Sequence, residues 1–325
     1  MSGMDVAVLS YHGWEIEPER LASDVAAMRR AGWQDVSLAG LFDALTRRSQ
    51  LNVPSFHVTF DDGAEGDGAC ADALATLGCP ATFFVSLDTM TAAAQSVCRG
   101  LFRRDAFGLE DHSLRHARRF HTRHVVGFHS SAQPLMSSPE RLNLEHGDPV
   151  CSYGGELARP AFAPDPRARE LCREAARQLT AEPGTAAWSD ALAARLVDAG
   201  LGSRRIGRLC VAGAYETRDA FSARMHEYLS EGRIRLAEFT GRMPSAFAHP
   251  WWQPSPVADS RLVELGYRMT FSGLGLCRRR SPLAIPRLFV SNDTPRPIDP
   301  RRLAAGQQRP RLDPVRALAA RAMFA

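Results

Sequence analysis

Two adjacent carboxylates, Asp61 and Asp62, close the β-prone run Ser55-Phe56-His57-Val58-Thr59-Phe60 and are followed at once by Gly63. A buried parallel strand that delivers polar groups at its carboxyl end reads this way, and that end is where α/β folds keep their chemistry. Neighbouring side chains on a strand face opposite ways, but past its end the chain can turn and bring both carboxylates to one pocket. One could then serve as a general base and the other as a cation ligand. An ordinary Asp-Gly turn is the structural alternative. A second strand-like run, Val6-Ala7-Val8-Leu9-Ser10-Tyr11, ends in His12-Gly13, and a third, Val125-Val126-Gly127-Phe128, ends in His129-Ser130-Ser131. His112 and His116 lie four apart and could hold a metal from one helix face, although a solvated face suits so Arg-rich a segment better. Trp251 and Trp252, between Pro250 and Pro254, read as a loop that could offer an aromatic platform to a sugar.

The elements that must position these groups alternate. Strand-like Val6–Tyr11 precedes a helix with apolar residues at Leu21, Val25 and Met28; a short extended piece at Val36–Leu38 and a helix over 39–47 lead to the acidic run. A small-residue helix over 66–77 then leads to the buried strand Pro80-Ala81-Thr82-Phe83-Phe84-Val85. Such alternation predicts an α/β chain, and 325 residues suffice for one barrel of about 250 residues with additions. The stretch 135–218 reads as an insertion carrying helices at 165–179 and 188–199. A helix over 218–239 follows, then the run Ser245-Ala246-Phe247-Ala248-His249-Pro250, a helix over 259–266 and strands near 267–271 and 283–290. The tail 296–325 is rich in Arg and Pro.

Composition narrows the classes. Hydrophobic content of 45% and charged content of 23% are those of a globular chain. No apolar run reaches the ~18 residues of a membrane span, and the amino terminus lacks the basic region of a signal peptide, so a cytoplasmic location is expected. There is no lysine, so all 40 basic residues are Arg; the formal charge is +4 and no nucleic-acid motif accompanies the Arg clusters, so no nucleic-acid partner is expected. Seven scattered cysteines without a Cys-x-x-Cys pair read as reduced thiols.

Thr59-Phe60-Asp61-Asp62-Gly63 resembles the first motif of the polysaccharide deacetylases, carbohydrate esterase family four, the NodB-homology domain; Pro80-Ala81-Thr82-Phe83-Phe84-Val85 continues the likeness in the right order. The resemblance implies a distorted seven-stranded (β/α) barrel over 1–295, interrupted by the insertion. It implies that Asp61 is the general base and Asp62 a ligand of a divalent metal, usually zinc, with nickel or cobalt as alternatives. The family's His-Ser/Thr-x-x-His-Pro motif is expected at His129-Ser130-Ser131-Ala132-Gln133-Pro134, which makes His129 a second ligand. Gln133 replaces the other histidine, and a neutral amide oxygen is a poor zinc ligand. Either Gln133 binds weakly, or His146 or His249 takes its place, or the metal has been lost. His249-Pro250-Trp251 stands where the family has Tyr-Pro-Tyr, which implies an oxyanion contact from the Trp251 backbone and a substrate wall from Pro250, Trp251 and Trp252. A Tyr-His strand ahead of the acidic motif is similar to the circularly permuted members, in which His12 would be the catalytic acid. The implied activity is removal of an N-acetyl or other acyl group from an amino sugar, a polysaccharide or a glycolipid precursor. A non-catalytic carbohydrate-binding or scaffold protein, or a hydrolase of a non-sugar amide or ester, are the alternatives; the oligomeric state is open.

Overall fold

Strand β3 (Ser55–Asp61) is buried along its whole length, and its two faces carry different chemistry. Phe56, Val58 and Phe60 pack with Leu21, Val25 and Met28 of the helix Pro18–Arg30 and with Cys70 and Leu74 of the helix Asp67–Thr76. Ser55, His57, Thr59 and Asp61 point the other way, and the last three meet Thr82, the Leu9 carbonyl and Arg287 on other strands of the same sheet. In a computed structural model describing residues 6–46, 51, 53–130, 143–200, 203–205, 208–277 and 281–305, that sheet closes into a barrel.

In chain order the strands are β1 (Val6–His12), β2 (Gln34–Asp35), β3, β4 (Ala81–Val85), β5 (Phe107–Asp111), β6 (Arg118–Phe128), β7 (Pro149–Gly155), β8 (Phe162–Pro164), β9 (Ser203–Arg205), β10 (Arg208–Cys210), β11 (Gly213–Tyr215), β12 (Ala246–Ala248), β13 (Met269–Leu274) and β14 (Ile285–Phe289). The sheet order β1-β14-β13-β12-β5-β4-β3, with β3 returning to β1, makes a closed ring of seven parallel strands. β2 pairs only with the start of β3, ahead of the point where β4 joins it. The expected seven-stranded (β/α) barrel is therefore observed. In the register of β1 and β3, His12 lies opposite Asp61, so both reach the same rim.

The interior is mixed: beside an apolar cluster that includes Val6, Val8, Phe84 and Phe271, it holds buried polar side chains where barrels are often filled with branched apolar ones. His57 donates from Nδ1 to Val36 O at 2.8 Å, and its Nε2 meets Thr82 Oγ1 at 3.0 Å; burial lowers its pKa to about 4, so it is a neutral packing residue. Above it, Arg287 of β14 crosses the bore, its guanidinium over the Phe84 ring, and reaches Asp61.

The barrel belongs to a unit formed by Met1–His116 and Arg224–Arg311. A second unit, Ala117–Ala223, includes most of the stretch 135–218 that the sequence sets apart. Its antiparallel strands β7, β6, β10 and β9 pack with the helices Pro166–Arg177 and Ala186–Asp198 around Phe120, Phe128, Tyr153, Trp188 and Leu192. The seven cysteines are all buried, and none is in a disulfide. Among the described residues, no helix is long and apolar enough to cross a membrane.

Candidate metal centre and active site

Asp62 leaves the end of β3 with φ 77°, and Gly63 follows with φ 77°. Left-handed backbone is disfavoured at a residue with a Cβ, and such positions collect at functional sites. The turn swings Asp62 over the barrel end that Asp61 caps. The Asp62 backbone carbonyl accepts from Ser86 N–H at 3.4 Å, which ties the turn to the end of β4.

β5 ends at Asp111, and the next five residues fold back through left-handed positions at Ser113 (φ 70°) and His116 (φ 49°). Asp111 Oδ1 accepts from Ser113 N–H at 2.8 Å, and Ser113 Oγ accepts from His116 N–H at 3.2 Å, so the loop is internally braced. Both imidazoles thereby meet one carboxylate oxygen: Nε2 of His112 lies 3.5 Å and Nε2 of His116 3.3 Å from Asp62 Oδ1. Asp62 Oδ1 is buried and has no hydrogen-bond partner. His112 Nδ1 donates to Ala248 O at 2.8 Å, which leaves Nε2 as the nitrogen facing Asp62. One ligand atom from each of Asp62, His112 and His116 lies within 4.8 Å of the others, a geometry that suits a divalent cation.

The expectation of a solvated helix face at 112–116 is overturned: these residues form a loop, and His112 is 2% exposed. Four-residue spacing produces convergence here through two left-handed turns instead of through a helix.

Asp61 sits beside this group in a different setting. Arg287 Nη1 donates to its Oδ1 at 2.6 Å, and Ser10 Oγ donates to its Oδ2 at 3.2 Å. Burial alone would raise its pKa, but the Arg287 charge, His112, the Arg287 hydrogen bond and His12 together hold it below the ordinary carboxylate range. Asp62 is likewise depressed: burial opposes ionisation, and the His116 charge, the adjoining His112 imidazole and the His12 charge overcome it. The same carboxylates raise His112 against the opposing effect of burial, whereas burial dominates at His116 and lowers it to about 4.

His12 completes the rim. Its Nε2 is 3.8 Å from Asp62 Oδ2, and its ring lies against Trp14, Phe289 and Trp252. After β12, His249 leads into Pro250-Trp251-Trp252, where Trp251 (φ 61°) and Trp252 (φ 52°) are both left-handed. Trp251 packs on the His116 ring with centroids 4.4 Å apart, and Trp252 lies against Phe289 at 5.4 Å. The aromatic pair thus borders the polar cluster.

Solved structures resembling the chain over nearly its full length share this architecture. The deacetylase domain of BpsB from Bordetella bronchiseptica aligns with a TM-score of 0.57 and 14% identity, over 89% of this chain and 97% of that one. IcaB from Ammonifex degensii aligns with a TM-score of 0.53 and 16% identity, over 90% and 94% of the two chains. A de-N-acetylase from Aggregatibacter actinomycetemcomitans gives 0.54 and 15%, over 89% and 96%. The fold is that of the NodB-type deacetylases. No protein-family description and no curated protein matches the chain by sequence.

Within this NodB-type barrel, the expected site residues divide. Asp61, Asp62, His12, Pro250, Trp251 and Trp252 all belong to the barrel unit, with Asp62 at the cluster. His129, expected as the second ligand, instead follows β6 in the second unit, where its backbone exchanges hydrogen bonds with Gly147 and Asp148 at 2.8 Å each. Gln133 lies outside the described residues. His146 packs on Trp188 in the second unit, and His249 is a core residue of the barrel unit whose Nε2 meets Asp259 Oδ1 at 2.8 Å. The structure therefore gathers Asp62 with His112 and His116, and within the barrel unit His249 is not among them. Sequence reasoning weighed His112 and His116 as a metal site but preferred a solvated face for them, and it overlooked Arg287. The pair was discoverable, since His112-Ser113-Leu114-Arg115-His116 has the His-Ser-x-x-His spacing directly after a strand. Arg287 had only a strand as its signal, because its partner is 226 positions away.

Proposed function

We propose that the chain is a metal-dependent hydrolase that removes an N-acetyl group from an amino sugar of a polysaccharide or related glycan. The observation that carries this reading is the Asp62-His112-His116 group standing beside an ionised, Arg-held Asp61 on one rim of the barrel. Asp62, His112 and His116 would hold the cation, zinc in the first instance with nickel or cobalt as alternatives. Bound there, it would supply Lewis-acid polarisation of the acyl carbonyl and lower the pKa of a water.

The side chains divide the remaining work. Asp61, kept ionised by Arg287, accepts the proton of the attacking water as the new C–O bond forms. His12, across the rim, gives a proton to the departing nitrogen as the C–N bond breaks. The Trp251 backbone is assigned to the developing oxyanion, and Pro250, Trp251 and Trp252 to the wall of the groove. The products are acetate and a free amine.

A purely carbohydrate-binding site is the rival reading; the three-residue group at Asp62 supports the metal-dependent one. Metal content and acetate release from N-acetylglucosamine oligomers test the proposal together. Stoichiometric metal is expected in the wild type and in Asp61→Asn, with activity reduced about 10²–10⁴-fold in the latter. Metal should be lost from Asp62→Ala and His112→Ala. Full activity in Asp61→Asn, or a wild-type protein that takes up no divalent metal, would overturn the hydrolase reading. Release of acyl groups from non-sugar amides alone would retain the chemistry and replace the substrate.

A further inference from the structure

Trp14 is 57% exposed, although it is the largest kind of apolar side chain and stands two residues beyond His12. Trp33 and Trp188 are buried in cores, and Trp251 and Trp252 are half-covered. The Trp14 indole is tilted by 50° against the His12 imidazole, with centroids 5.3 Å apart. Through His12 it continues the aromatic wall of Phe289 and Trp252 outward from the Asp62 cluster.

The backbone that carries Trp14 is held in place. Glu15 N–H donates to His12 O at 2.9 Å, closing a turn over His12–Glu15. Gly13 in that turn is pressed against the loop after β3: a Cβ there would meet Asp67 Oδ1 at 2.1 Å and Asp67 N at 2.7 Å. Gly66 is equally close from the other side, since its Cβ would fall 2.0 Å from Gly13 O. An exposed aromatic on a rigid turn loses little conformational freedom when a ligand covers it, which favours binding.

We propose that Trp14 is an outer sugar-binding platform adjoining the reaction centre, and that the substrate is accordingly a chain of at least two pyranose units, not a single amino sugar. The inference rests on the deacetylase reading for the identity of the reacting unit. A pyranose offers one largely apolar C–H face, which stacks on an indole, while its hydroxyls stay in water. With His12 between Trp14 and Asp62, a unit stacked on Trp14 neighbours the unit whose acyl group lies at the cluster. Trp14 would select for chain length and touch no reacting atom.

The experiment compares N-acetylglucosamine with its β-1,4- and β-1,6-linked tetramers on wild type, Trp14→Ala and Trp14→Phe. Expected is a loss of about tenfold in kcat/KM for the preferred tetramer in Trp14→Ala, the scale of one aromatic stacking contact. That loss should be at least fivefold larger than any loss on the monomer, with most of it restored in Trp14→Phe. Equal losses on monomer and tetramer would mark a structural role and overturn the platform, as would an unaffected tetramer. Affinity for the tetramer is read separately by calorimetry in an Asp61→Asn background, with Trp14→Ala expected to weaken it about tenfold. This arm needs no turnover: an inactive wild type that still binds the tetramer through Trp14 sinks the hydrolase reading alone, whereas affinity that is nil or indifferent to Trp14 sinks the platform.

Discussion

Asp61 and Asp62 are chemically identical neighbours that the fold sends into different environments. One meets a guanidinium and a hydroxyl, the other meets the imidazoles of His12, His112 and His116, and only the second is left with a buried, unbonded oxygen. Arg287 is the residue on which Asp61's proposed role depends, because burial would otherwise favour the protonated acid. A base must be ionised to act, so removing the Arg287 charge should raise the Asp61 pKa and move the acidic limb of the kcat/KM profile upward. A shift of about 1–3 pH units is expected for Arg287→Met, while Arg287→Lys, which keeps the charge but not the guanidinium fork, should shift it less. An unmoved acidic limb in a folded Arg287→Met protein would detach Arg287 from the base. At this scale the sequence was half legible. The acidic pair and His12 announced themselves by standing at strand ends. The imidazole partners of Asp62 were concealed by two partial copies of one motif: residues 112–116 keep both histidines and lack the proline, whereas residues 129–134 keep the proline and lack the second histidine. Ligand chemistry outranks the proline, since the imidazole nitrogens are the donors and the proline only shapes the loop.

At the scale of elements, alternation decided most of the outcome. β1, β3, β4 and the helices that cover them follow from short β-prone runs separated by amphipathic or small-residue segments. The polar inner row of β3 was equally visible as Ser55, His57, Thr59 and Asp61, yet a parallel strand is usually apolar on both faces, so only closure of the barrel shows what those groups meet. The loops were less legible. Residues 112–116 work through left-handed backbone at Ser113 and His116; Ser113 gives no signal of that conformation, and His116 only the modest one that histidine carries. The contact between Gly13 and Gly66 is the element-level feature most open to test, because it fixes the turn bearing His12 against the loop that follows Asp62. At Gly66 an added methyl meets the Gly13 carbonyl oxygen, which cannot rotate aside. Gly66→Ala should cost about 1–3 kcal/mol, read as a lower midpoint of urea unfolding, and should reduce acetate release beyond what the unfolded fraction explains. Gly78, where an added methyl meets nothing within 4 Å but φ is 58°, separates the two effects: its Ala variant suffers backbone strain without displacing the site.

For the molecule as a whole, the buried charges near the rim make stability depend on pH in separable windows. Asp61 and Asp62 are depressed, so their contribution is present above the unfolded carboxylate value of about 3.9 and is lost as pH falls through their lower folded values. His57 and His116, each lowered to about 4, lose stability as pH falls from about 6.5 towards 4. Asp67 behaves oppositely. Burial raises it to about 8, with Asp62 and Asp61 adding to the rise and the Ala64 N–H opposing it. From about pH 4 to about pH 8 the folded chain retains a proton that the unfolded chain has released, so Asp67 makes stability fall as pH rises. Asp111, raised to about 6 chiefly by burial, acts in the same sense but is spent by that pH. His112 is raised as well, and its contribution is also lost as pH climbs through its folded value, so the raw slope above pH 6.5 belongs to both groups. The difference between two proteins isolates Asp67. Urea midpoints measured in the presence of a chelator at about pH 6.5 and about pH 8 should fall in the wild type and fall distinctly less in Asp67→Asn, which carries no ionisable group at that position. Equal declines would mean that Asp67 is ionised throughout the window, with its charge neutralised by groups other than the Ala64 amide.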